Sequence, residues 1–131
     1  MQDGWQDKVS NVRQLGGVEL LTIEDGRGRG VRVADINTGS PLRFRVVVDR
    51  CLDIADAFFG PHSLAWISPC GVTAANPAAY QGMEWLRAFG GGLMATCGLT
   101  HTGGPEDDER ESRGLHGRVS NLPASLSHVR Q

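Results

Sequence analysis

Glycine divides this chain into pieces too short for most helices. Eighteen of its 131 residues are glycine, about twice the usual share of roughly 7%. They cluster at Gly26-Arg-Gly-Arg-Gly30, Gly90-Gly-Gly92 and Gly103-Gly104, with Gly114 and Gly117 beyond. A glycine inside a helix costs about 1 kcal/mol relative to alanine. The chain between these clusters therefore reads as strands joined by tight turns.

The apolar pattern agrees. Val18–Ile23 is mostly apolar and β-branched and stops at the turn Glu24–Gly30; Val31, Val33 and Ile36 make a second strand, ended by Asn37–Pro41. The clearest alternation follows, with Leu42, Phe44, Val46 and Val48 on one face and Arg43, Arg45, Val47 and Asp49 on the other. That period of two describes a strand with one buried side, expected to be the Leu42–Val48 set. Alternation continues through Cys51–Phe59 to Gly60-Pro61, and Leu64–Ile67 forms another short strand. Val72–Gly82 reads as a loop, Glu84–Phe89 as a helical turn, and Leu93–Cys97 as a strand or buried segment. Residues 103–113 form a polar, acidic surface loop without a core residue. Strands at short intervals separated by turn signals predict an all-β sandwich.

Composition narrows the partners. Fifteen acids against thirteen bases give a net charge of -2, which argues against nucleic acid, a partner that calls for a basic excess. No apolar run approaches the roughly 18 residues of a membrane helix, and the first residues have no signal-like character, so no membrane partner is expected. Cys51, Cys70 and Cys97 stand singly. They suggest neither a disulfide framework nor a zinc ribbon, and a reduced, cytoplasmic setting is the default.

Candidate chemistry is sparse. Gly26–Gly30 lacks the helix a dinucleotide fingerprint needs and reads as a hairpin loop. Glu106–Glu111 does not match a calcium loop and reads as a solvated loop. His62 sits in a turn, and His128 has no role. His101 and His116 differ, since glycine flanks both, in Leu99-Thr-His-Thr-Gly-Gly104 and Gly114-Leu-His-Gly-Arg118. Glycine beside a histidine lets a ligand or another backbone come close, although by residue type alone a structural role is the commoner one for both, more so for His101. Cys97, His101 and His116 fit no familiar metal spacing, so no metal or cofactor is expected. Asp49-Arg50 and Asp53 fall at the rim of the strand region, and Trp66, Trp85 and Tyr80 offer flat apolar faces. Aromatic rings with fixed donors suit a polyhydroxylated ligand, and they also suit a core.

Four segments taken in order carry a resemblance: Asp49-Arg-Cys-Leu-Asp-Ile54, Trp66-Ile-Ser-Pro-Cys-Gly71, Phe89-Gly-Gly-Gly-Leu-Met-Ala-Thr-Cys-Gly-Leu99 and Gly114-Leu-His-Gly-Arg118. Together they resemble the aldose 1-epimerase-like proteins of the galactose mutarotase superfamily, in its DUF4432 branch, over about Gly26 to Ala124. The resemblance implies an antiparallel β-supersandwich with a sugar-binding concave sheet. It also implies sugar anomer or epimer interconversion by acid/base ring opening, or, alternatively, a non-catalytic sugar-binding module or sensor on the same fold. Leu115-His116-Gly117 looks like the family's early His-Gly motif, which makes His116 the catalytic candidate on the ring-oxygen side. Arg50, Arg87, His101 and Arg118 are the substrate-binding candidates. The family's second histidine and catalytic glutamate lie well downstream of the early motif, and its members are well over twice as long. Residues 1–131 are thus expected to be the N-terminal part of a single domain, with exposed apolar faces and open edges where further strands would pack, and with no turnover alone.

Overall fold

The structure is a computed structural model and describes residues 4, 6–125 and 128. Leu126 and Gln131, where the sequence reading trails off, lie outside the described residues. Its centre is a five-stranded antiparallel sheet in sequential order. The strands are β1 (Gly17–Thr22), β2 (Arg32–Asn37), β3 (Leu42–Val47), β4 (Asp53–Phe59) and β5 (His62–Ser63). Two further pairs follow: β6 (Trp66–Ile67) with β7 (Gly91–Gly92), and β8 (Glu106–Asp107) with β9 (Ser112–Arg113). Among the described residues helical structure is confined to short 3₁₀ turns, including Val48–Arg50, Glu84–Ala88 and Val119–Asn121. No helix among the described residues is long and apolar enough to cross a membrane. The all-β expectation holds, and the Gly26–Gly30 segment is the hairpin loop between β1 and β2.

One face assignment changes. Val47 pairs with Val33 in the register and both are 2% exposed, forming the core cluster with Val31. Ile23, Ala55 and Val72 pack against it. The sequence pattern put Val47 outward among charged residues, whereas Phe44 and Val46 on the opposite face are only half-buried. The chain beyond β5 explains this, because Val72 closes over the Val33–Val47 side. The other side, with Leu20 44% exposed, is covered only in part, near Val119 and Ala124. Ala55 is the extra residue of a bulge, since Arg45 faces Asp56 but Val46 faces Ile54.

Farther along the Val47 side the sheet is charged. Register sets Asp35, Arg45 and Asp56 abreast. Arg45 Nε donates to Asp35 at 2.6 Å, its NH1 lies 3.7 Å from Asp56, and Arg43 stacks over Phe58. Burial pushes the Asp56 carboxyl up, and Arg45 opposes that shift.

The Gly90–Gly92 cluster is a close backbone crossing. Leu93 N–H donates to Ile54 O at 2.8 Å and Ile54 N–H to Met94 O at 2.9 Å. A Cβ on Gly91 would run into the Trp66 carbonyl, and one on Gly92 into the Ile54 carbonyl. Only glycine passes between β4 and β6 here. Leu93 and Met94, expected to be strand or buried, emerge about half-exposed, joined to β4 by the single Ile54–Met94 bridge.

Candidate functional site

The 3₁₀ turn Glu84–Ala88 drives Trp85 inward, where it is 5% exposed. Its indole N–H donates to Ser120 Oγ at 2.7 Å, its ring stacks on Phe89, and the His116 ring meets it edge-on at 4.8 Å and 76°. The indole thus ties two segments distant in sequence, 85–89 and 116–120, to one point.

His116 itself is held by a backbone crossing. It adopts a left-handed φ of 58°, which costs a residue with a Cβ about 1–2 kcal/mol. In return the loop 98–104 closes around it. His116 N–H donates to Gly103 O at 3.0 Å, and Gly98 N–H to His116 O at 3.0 Å. The Gly103 N–H donates to His116 Nδ1 at 3.2 Å. An amide can only donate, so Nδ1 is the acceptor and the neutral ring carries its proton on Nε2. His116 therefore presents a hydrogen-bond donor.

His101 stands on the other side of the same crossing. Its Nε2 lies 2.7 Å from Gly104 O, and its Nδ1 lies 3.7 Å from Glu106. Arg118 stacks over Tyr80 at 5.1 Å and donates to Glu111 at 2.7 Å. These two residues, with Tyr80, Thr100 and Gly117, border a small crevice. Arg113 and Arg118 together draw the Glu111 carboxyl below its usual range, Arg113 through the larger effect. Arg87 is exposed, and its carbonyl accepts from Arg27 at 2.8 Å.

Arg50 is placed differently from a rim residue. The turn Val48–Arg50 ends in two successive left-handed residues, Cys51 and Leu52. This folds Arg50 back on Asp53, so that Arg50 is 3% exposed. Its Nε donates to Asp53 at 3.4 Å and its NH1 to Asn121 Oδ1 at 3.1 Å, while NH2 is buried without a partner among the described residues. Burial pushes the Asp53 carboxyl up, opposed by the Thr96 amide and by Arg50. Asn121 adjoins Ser120, so Arg50 connects through that turn to Trp85 and on to His116. The next acid behaves oppositely. Asp49 is held below its usual range by the Arg32 guanidinium, and it also accepts the Ala124 amide at 3.1 Å.

Comparison with known proteins follows this geometry. A family model described as "Domain of unknown function (DUF4432)" matches residues 28–131. The chain belongs to the DUF4432 family. A crystal structure of a candidate aldose 1-epimerase from Klebsiella pneumoniae is similar to this DUF4432 chain, with a TM-score of 0.70 at 24% identity. The match covers 92% of this chain and 32% of that one, so the chain spans about a third of the solved protein. The fold is therefore that of the epimerase-like protein. No curated protein sequence matches the chain.

Among the sequence candidates, the DUF4432 chain brings His116, His101 and Arg118 to one loop crossing and joins Arg50 to it through Asn121, Ser120 and Trp85. Arg87 follows on the turn that carries Trp85 and is exposed. Among the described residues no group of three His, Cys, Asp or Glu could hold a metal ion, and the three cysteines are free. Ser120 and Asn121 escaped notice in the sequence. They are 0% and 1% exposed, and a buried Ser-Asn pair after a His-Gly-Arg segment was the signal available.

Proposed function

We propose that this chain forms the acid side of a sugar site in a carbohydrate-binding isomerase of the aldose 1-epimerase type, acting in the cytoplasm. His116 Nε2–H donates to the ring oxygen as the sugar opens. Arg118, His101, Arg87 and Arg50 supply donors or support to the hydroxyls. Residues 1–131 are the N-terminal part of one galactose mutarotase-like domain, and the base that removes the anomeric proton comes from polypeptide beyond them.

The observation that carries this reading is the Gly103 amide on His116 Nδ1. It leaves Nε2–H as a fixed hydrogen-bond donor, and the neutral ring polarises the ring oxygen through that bond, as a neutral histidine electrophile does, without giving up its proton. The epimerase-like fold supports the same reading. Anomerisation of galactose followed by NMR tests it. The 131-residue chain should bind galactose, lose binding on His116→Ala, and leave the rate at that of buffer. Acceleration by the chain alone would overturn the assignment of the base elsewhere, and binding without His116 would overturn the site. Binding without turnover in a longer protein that carries the rest of the domain would identify a sugar sensor instead.

A further inference from the structure

We propose that the acidic hairpin β8–β9 is a hinged cover over the crevice between His101 and Arg118, fastened by its own carboxylates in the positions that ligand oxygens would take. Its functional meaning rests on the reading of Arg118 and His101 as ligand groups.

The hairpin is held by its own backbone pairing and by charged side chains, without apolar burial. No residue from 106 to 113 is buried. Asp108 Oδ1 accepts the amides of Arg110 and Glu111 and so shapes the turn. Arg113 binds Asp108 and Glu111 and keeps the hairpin rigid within itself. Among the described residues, the Arg118 side chain fastens it across the crevice by donating to Glu111 at 2.7 Å, and Glu106 lies 3.7 Å from His101, an ion pair only when that histidine is protonated. An element with exposed ion pairs and no apolar burial opens at low cost, and salt weakens its fastening.

The two ends of the hairpin differ. Gly114 is packed so closely on the Tyr80 carbonyl that no Cβ would fit, which anchors that end. Nothing would crowd a Cβ at Gly103 or Gly104, but Gly103 is held to His116 through its N–H and its carbonyl and Gly104 to His101 through its carbonyl, so this end turns only as those bonds yield. Hinge movement at this end therefore reaches the histidine as well as the crevice.

Amide hydrogen exchange over residues 104–114 tests the cover without requiring a ligand. Glu111→Gln, which weakens the pairs with both Arg118 and Arg113, should speed exchange there about two- to five-fold, the effect of weakening ion pairs of this exposure. High salt should do the same to the native chain. Glu109→Gln, which removes a charge from the same turn without touching Arg118, should leave the rate unchanged. Unchanged exchange in Glu111→Gln and in high salt would overturn the cover, as would equal acceleration in Glu109→Gln. Galactose supplies the second arm. Tighter galactose binding by Glu111→Gln supports the cover as a gate. A hairpin that loosens as expected while neither protein binds galactose leaves the cover standing and defeats the sugar reading.

Discussion

The Gly103 amide donates to Nδ1 of His116 at 3.2 Å. One backbone bond thus decides which nitrogen of the histidine carries the proton. The bond exists because two glycine-bordered segments cross, and the left-handed turn at His116 brings the ring beneath that amide.

The tautomer is directly observable. Long-range ¹H–¹⁵N NMR of the neutral ring should give a proton-free Nδ1 and a protonated Nε2 for His116. A proton on Nδ1 would show that the Gly103 bond is not made in solution.

Trp85 should matter for packing and for one hydrogen bond. Trp85→Phe removes the donor to Ser120, whose hydroxyl is fully buried. Losing a partner in such a place costs about 1–3 kcal/mol, and urea denaturation should show a lowered midpoint. The His116 resonances should shift as well, since its ring meets the indole edge-on. Unchanged histidine resonances would mean that the two rings are not in contact.

The acid limb of stability should depend on Asp49. Its pKa is held down in the folded protein, chiefly by Arg32. The pairing therefore contributes fully above the unfolded value of about 3.9 and is lost as pH falls through the folded value. Asp49→Asn should lower the urea midpoint at neutral pH and flatten the loss of stability on acidification. Asp53 has the opposite sign, because burial raises its folded pKa. It lowers stability as pH rises from the unfolded value through the folded one. Urea midpoints measured from pH 3 to 7 on Asp49→Asn and the native chain separate the two.

The two valines at the end of β3 test the face assignment. Val47→Ala should cost about 2 kcal/mol, since its side chain lies fully in the core. Val46→Ala, on the half-covered face, should cost less than half as much. Equal losses would return the core to the face that alternation alone suggested.

Those valines also show how much the sequence could disclose. Strands β1 to β4 were legible because apolar and polar residues alternate along them between glycine turns. Which side of β3 would be covered was not, because both sides carry valine at that end and the cover comes from Val72, far along the chain. His116 and His101 stood out through their glycine neighbours, and the crossing of loops 98–104 and 114–117 explains those glycines. Arg50 was visible as a charged residue at a strand end, but its burial was not. That depends on the left-handed pair Cys51-Leu52, residues with no special turn preference, and on Asn121 some seventy residues later. Trp66 and Trp85 looked alike in sequence, yet one is 62% and the other 5% exposed.

The central claim is a sugar site on the donor face of His116. Titration of the ¹⁵N-labelled chain with galactose, followed by NMR, tests it most directly. Saturable shifts are expected at His116 Nε2, the Gly103 amide and the Arg118 side chain, and their loss in His116→Ala. Saturable binding that leaves these three groups unmoved, or no binding at all, would contradict it.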